Sequence, residues 1–209
     1  MRTMVEGVSS SSVRSICVFC GSRPGADPAF AAAATALGTA IARRGLTIVY
    51  GGAKVGLMGA LADAALAAGG HVIGVIPKGL VSKEIAHDKL PELFLTQTMH
   101  ERKERMIELS DAFVSMPGGW GTYDEAFEVL TLAQVGFHAK PSGFLNVKGY
   151  FDPLLSLLKH TIASGFAAPQ HELLYVASDD PDSLLDAVLA WTPPPLGDKW
   201  TDRRAVKSG

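Results

Sequence analysis

A chain of 209 residues can bury one substantial core but is short for two, and its 47% hydrophobic and 19% charged residues exclude a largely disordered chain. Nineteen basic residues face 21 acidic ones for a formal net charge of −2, so no global positive excess favours nucleic acid or an anionic membrane. A single domain follows, and any anion site in it must be local.

Residues 1–13 run through Gly7 into Ser9, Ser10, Ser11 and Ser12 without the apolar centre of a secretory signal. They read as a flexible N-terminal segment on a cytoplasmic protein. The first strand is expected at Ser15–Phe19. Cys17 and Cys20 make a Cys-x-x-Cys spacing, but positions three apart on a strand point to opposite faces and no second ligand pair follows. Both are read as reduced core thiols. A turn, Cys20-Gly21-Ser22-Arg23, leads to a helix at Phe30–Arg43. That helix holds the most apolar stretch, yet it is interrupted by Thr35, Gly38 and Thr39 and is shorter than the roughly 20 residues of a spanning segment.

Leu46–Tyr50 reads as the second strand, followed by the loop Gly51-Gly52-Ala53-Lys54-Val55-Gly56 and a helix at Leu57–Ala68. Glycines between a strand and a helix let backbone amides approach an anion at the positive end of the helix. The loop matches the start of a phosphate-binding P-loop, but Leu57 and Met58 stand where Lys and Ser or Thr are required, so an NTPase is not expected. Nor does any strand, loop and helix give a dinucleotide fingerprint with its acidic partner. Taken singly, these loops fit plain turn chemistry as well as a ligand site.

Strands at His71–Ile76 and Leu93–Thr96 precede a helix at His100–Leu109. Within Thr98-Met99-His100-Glu101-Arg102-Lys103-Glu104-Arg105-Met106, helical spacing puts Met99, Arg102 or Lys103, and Met106 on one face. The basic pair would therefore sit among apolar residues, while Glu101 and Arg105 are expected to pair at i, i+4 on the wet side. After the strand Ala112–Met116 comes Pro117-Gly118-Gly119-Trp120-Gly121-Thr122, then a helix at Tyr123–Val135. Its glycines can form a nest of amides and Thr122 can cap the helix and reach a phosphate oxygen. Thr122-Tyr123-Asp124-Glu125 also satisfies a capping box, in which Glu125 merely bonds the helix start. Against that reading, a carboxylate beside a phosphate site is repelled unless a cation accompanies it. From Phe127 to Phe137 the helix is apolar around most of its circumference, which predicts burial on more than one side and hence a homodimer.

The remaining elements are strands at Ser142–Asn146 and Leu173–Ala177 and helices at Pro153–Ser164 and Pro181–Trp191. Gly45, Gly69-Gly70, Gly136 and Gly165 punctuate the helix ends. The alternation predicts an α/β fold over 14–192: a doubly wound, mostly parallel, Rossmann-like sheet in one domain with helices on both faces. Ligands of such sheets bind beyond the carboxyl ends of the strands, which is where all three glycine-rich loops lie. Residues 193–209 open on Pro193-Pro194-Pro195 and read as a Pro-rich tail. The six histidines are scattered without metal-ligand spacing, so no metal site is expected.

Several of these segments together strongly resemble the Lonely Guy (LOG) family, which carries a Pro-Gly-Gly-x-Gly-Thr-x-x-Glu motif after a Met-His-x-Arg-Lys helix. Here they are Pro117 to Glu125 and Met99 to Lys103. Cys20-Gly21-Ser22, Val49-Tyr50-Gly51-Gly52, Gly56-Leu57-Met58-Gly59, Ala133 to His138 and Lys140-Pro141 match as well, so the likeness spans about Arg14 to Leu189. Asp124 replaces a second Glu of many members, and Ala53 a third Gly of many plant members. The resemblance implies hydrolysis of the N-glycosidic bond of an N6-substituted adenosine 5′-monophosphate to free base and ribose 5-phosphate, without a cofactor, with N6-prenylated adenosine monophosphate as the characteristic substrate. It makes Arg102 and Glu125 the catalytic pair. By the same resemblance, and by the loop positions, Ser22, Gly51, Gly52, Met58, Glu84, Lys103, Gly118, Gly119, Trp120, Gly121, Thr122, Tyr123, Asp124 and Thr131 bind the nucleotide and its phosphate. Two other readings stay open. One is a nucleotide-binding module in which Arg102 and Glu125 are a structural ion pair. The other is a pyridoxal-phosphate decarboxylase, for which Lys54, Lys83 and Lys140 are available but none has a distinguishing context.

Overall fold

The computed structural model describes residues 13–81 and 85–196. Seven strands, β1 (Ser15–Phe19), β2 (Thr47–Tyr50), β3 (Val72–Pro77), β4 (Glu92–Thr96), β5 (Ala112–Ser115), β6 (Ser142–Leu145) and β7 (Tyr175–Ser178), form one sheet in the order β4-β3-β2-β1-β5-β6-β7. Each neighbouring pair is parallel. The helices between them are α1 (Pro28–Arg43), α2 (Gly56–Ala67), α3 (Lys78–Val81), α4 (Met99–Glu108), α5 (Trp120–Gln134), α6 (Asp152–Ala163) and α7 (Pro181–Ala190). This is the doubly wound α/β architecture expected from the alternation of apolar runs and helical patterns.

Alternation along β1 divides the core. Ile16 and Val18 join Ile48, Tyr50 and Val114 beneath α1, α2 and α7, while Cys17 and Phe19 join Val49, Val75 and Phe113 beneath Met106 of α4 and Val129 of α5. The two cysteines are free and buried, and they fall into these opposite layers as strand geometry requires. A third cluster packs Ala126, Leu130 and Ala133 of α5 against Phe144, Phe151 and Leu174. No helix among the described residues is long and apolar enough to cross a membrane.

Three boundaries differ from expectation by two residues or more, each for a local reason. α1 starts earlier, at Pro28, because Asp27 caps it by accepting from the Ala29 amide at 2.9 Å and proline suits the first helical position. β7 starts later, at Tyr175, because Pro169–Leu174 winds into a 3-10 segment whose apolar end, Leu174, is buried. α5 begins at Trp120 with Gly119 as its N-cap, so Thr122 stands inside the first turn and does not cap the helix. The capping-box reading of Glu125 fails with it. Glu101 and Arg105 do not pair either: Glu101 accepts from the Gln97 amide, and Arg105 lies over the Phe94 ring and bonds Glu108. Residues 1–12 of the expected N-terminal segment and 197–209 of the expected tail lie outside the described residues.

Candidate active site

The chain leaves β1 for β2 on one side of the sheet and returns from β4 to β5 on the other, so β1 and β5 flank the switch in strand order. Loops leaving adjacent strands in opposite directions open a crevice at the strands' carboxyl ends. A cavity of about 690 Å³ occupies that place. The β1–α1 turn supplies Gly21, Ser22 and Arg23, the α5 start supplies Gly118, Gly119, Trp120, Gly121 and Thr122, and Met58, Arg102, Glu125 and Tyr150 complete much of the wall.

Arg102 reaches this cavity because α4 begins at Met99, capped by Thr98, whose side chain accepts from the Glu101 amide. That phase buries Arg102 and Met106 on one face. The Arg102 Nε donates to the Val75 carbonyl at 3.1 Å and Nη1 donates to Glu125 Oε1 at 2.7 Å. Arg102 is only 8% exposed and Glu125 7%, so both charges have left bulk water and depend on each other. Room for the guanidinium comes from Gly51, where an added Cβ would lie 2.1 Å from Arg102 Nη2 and 2.9 Å from Met58 Sδ. Gly51 therefore admits the catalytic candidate instead of lining the cavity, and Gly52, at φ 72°, turns the chain beside it.

Burial pushes the Glu125 carboxyl above its ordinary range; the Arg102 charge and hydrogen bond pull it down, and the neighbouring Asp124 adds to the rise. The result is a carboxylate that is paired yet more basic than a surface one. At the α5 start no side chain caps the helix, so its first amides and the helix dipole present a positive end to the cavity. Gly118 lets this loop meet its neighbour, since a Cβ there would come 2.1 Å from Thr122 Oγ1 and 2.9 Å from the Gly21 amide nitrogen. The Gly21 amide also donates to the Pro117 carbonyl at 3.1 Å, so the first and third glycine-rich loops form one wall. Backbone amides near a helix start, with a buried arginine and carboxylate behind them, can hold an anionic group and stabilise positive charge developing close by.

The structure thus gathers Ser22, Met58, Arg102, Gly118, Gly119, Trp120, Gly121, Thr122 and Glu125 around one cavity. Other predicted residues lie elsewhere. Lys103 points along the α4–α5 junction to Asp124 at 3.0 Å and Glu128 at 3.1 Å, outside the cavity wall. The Tyr123 hydroxyl donates to that of Tyr150 at 3.0 Å. Thr131 lines a separate groove between α5 and the α6 region, together with Phe127, Leu158 and Phe166. Glu84 lies outside the described residues. Sequence reasoning passed over Arg23, Phe30 and Tyr150, all of which line the cavity. Arg23 was in plain view beside Gly21, and Tyr150 follows Gly149 in a loop after a strand. Only the more glycine-rich loops drew weight.

The chain matches a family model described as "possible lysine decarboxylase" over residues 58–188. It is 46% identical over 190 residues to a probable cytokinin riboside 5′-monophosphate phosphoribohydrolase of Oryza sativa subsp. japonica, covering 91% of this chain and 84% of that one. A cytokinin riboside 5′-monophosphate phosphoribohydrolase of Rhodococcoides fascians is 44% identical, over 89% of this chain and 94% of its own. Among solved structures, the molybdenum cofactor carrier protein of Chlamydomonas reinhardtii superposes with a TM-score of 0.65 at 23% identity, covering 86% and 98% of the two chains, a likeness of fold alone. The motifs around Arg102 and Glu125, the sheet order and these relatives converge, and the chain belongs to the LOG family.

Proposed function

We propose that the protein hydrolyses the N-glycosidic bond of an adenosine 5′-monophosphate bearing an N6 substituent, releasing the base and ribose 5-phosphate. The buried Arg102–Glu125 pair behind the α5 start carries this reading. The 5′-phosphate is held by the amides of Gly119, Trp120 and Gly121 with the Thr122 hydroxyl, at the positive helix end. As the bond to C1′ breaks, its electron pair leaves with the base and the ribose becomes oxocarbenium-like, a charge that the Glu125 carboxylate stabilises. Water adds at C1′ and yields one proton, first to Glu125, while the base takes up one proton. Arg102 orients the carboxylate and offsets its burial through a fixed donor fork. Trp120, 93% exposed at the mouth, offers a flat apolar surface to the base or its substituent.

A pyridoxal-phosphate decarboxylase needs a lysine aimed into the site. Among the described residues no lysine lines the cavity, Lys140 donates to the Ile107 carbonyl, and Lys54 pairs at the surface with Asp88, while Lys83 lies outside the described residues. The decisive assay compares base release from prenylated adenosine monophosphate, plain AMP and the prenylated nucleoside. Release from neither nucleotide would refute the proposal and leave a nucleotide-binding module.

The same proposal includes a cytoplasmic homodimer. Two free, buried cysteines suit a reducing compartment. Phe127, Val135, Phe137, Leu157 and Phe166 are exposed along or just beyond α5 and α6, and Phe127 and Phe166 line one groove with Thr131. Thr131 lies on this face, so a second copy docked there is what would bring it to a nucleotide. A 22 kDa species in light scattering at micromolar concentration would exclude the dimer.

A further inference from the structure

Tyr150 belongs to no sequence motif singled out above, yet it joins three parts of the site. Its hydroxyl donates to the Gly118 carbonyl and accepts from the Tyr123 hydroxyl at 3.0 Å. Its ring meets Phe30 of α1 edge-on at 5.7 Å and Phe151 at 5.1 Å, while also lining the cavity. The turn that delivers it is braced. The Asn146 side chain accepts from the Phe151 amide at 2.7 Å and donates to Asp152 at 2.7 Å. Lys148, held at φ 52° where side chains are disfavoured, reaches Asp27, the cap of α1, at 2.6 Å. Lys148 is the one non-glycine residue at positive φ among the described residues, and it lies in the turn that delivers Tyr150.

A trans peptide carries its N–H opposite its C=O, so fixing the Gly118 carbonyl also fixes the Gly119 amide, the N-cap position of α5. Two consecutive glycines would otherwise leave that peptide unusually free to rotate. We infer that Tyr150 is a positioning residue: oriented by Tyr123, its phenol sets the Gly118–Gly119 peptide at the anion-holding end of the site before any ligand arrives. Burial and the Tyr150 bond push the Tyr123 phenol up to about 12, so it stays a neutral donor through the working range of pH. The functional side of this inference rests on the proposed phosphate site at the α5 start; the ordering of the loop does not.

The test uses Tyr150→Phe and Tyr123→Phe in the full chain, each of which removes one hydroxyl and keeps the ring. In the ligand-free protein, the backbone amide order parameters of Gly119 to Gly121 are expected to fall from the rigid range, about 0.85, toward about 0.6 in Y150F, and by less in Y123F. With ligand, KM for the nucleotide and Ki for ribose 5-phosphate rise about tenfold in Y150F and about two- to threefold in Y123F, the scale of one net hydrogen bond and of its orientation, while kcat stays within about twofold and inhibition by the free base is unchanged. A residue that only supports the fold would instead move melting temperature and kcat together. Unchanged order parameters at Gly119 to Gly121, or unchanged affinity for ribose 5-phosphate in a wild type that binds it, overturn the clamp. Lowered order parameters in a protein that neither binds ribose 5-phosphate nor releases base uphold the clamp on the loop and refute the proposed reaction instead. Should Y150F fail to fold, Y123F, whose side chain is outside the cavity wall, decides the matter by the same measurements.

Discussion

Arg102 and Lys103 are neighbours on α4, and both reach acidic residues of α5, yet the two ion pairs are physically unlike. Arg102–Glu125 has side chains only 10% and 8% exposed, a 2.7 Å contact and a place on the cavity wall. Lys103, its side chain 16% exposed, bridges Asp124, 60% exposed, and Glu128, 26% exposed, along the outside of the same junction. One residue of helical phase separates a pair stripped of water from a cluster whose Asp124 end water still screens. The contrast teaches that charge complementarity between two helices says little until burial is known, because desolvation sets both the cost of the ions and the strength of what they do.

The largest effect should come from breaking the inner pair. Arg102→Ala and Glu125→Ala are expected to lower kcat by about a thousandfold or more, several kcal/mol of lost charge stabilisation, with the fold retained by circular dichroism. Near-native kcat in either folded variant would make the pair merely structural and erase the contrast with Lys103.

Next in size is removal of the phosphate. If two or three charge-assisted hydrogen bonds are made at the α5 start, at roughly 1.5–3 kcal/mol each, the nucleoside should lose on the order of hundredfold or more in kcat/KM relative to its 5′-monophosphate. Equal rates would remove the phosphate cradle at the α5 start and with it most of the case for this mechanism.

A pH series sharpens the comparison further. Glu125 must be ionised to act, and its folded value lies above the usual carboxylate range, so activity should fall as pH drops through that raised value. The stability effect has the opposite sense. Between the unfolded and the raised folded value the native state holds the extra proton, so stability declines as pH rises through that window. Denaturant titrations of wild type and Glu125→Gln should differ there, with the decline smaller in the variant; identical profiles would mean that burial does not govern this carboxyl. The smallest effect belongs to the outer pair: Lys103→Met should cost about 0–1 kcal/mol of stability and change kcat only a few-fold. A hundredfold loss of kcat in that variant would put Lys103 on the substrate.

Much of this could be read from the residues alone. Apolar runs of strand length between helical patterns dictate a doubly wound sheet, because each element must bury one face against the next, and glycines after strands mark where the ligand crevice opens. The spacing of Arg102 and Met106 put Arg102 on the buried face of α4, though Met99 is half exposed, and the Pro117 to Glu125 segment marked a glycine-rich helix start. What local pattern left undecided was contact across the sheet. Whether Thr122 capped α5 turned on a helix start at Trp120. That Gly51 exists to admit Arg102, that Lys103 turns outward and Thr131 faces another groove, and that Tyr150 grips Gly118 depend on elements distant in the chain. A residue's type and spacing determine what it can do. Only the packing of separate strands and helices decides which groups lose their water and meet, and that is where the chemistry of this protein is set.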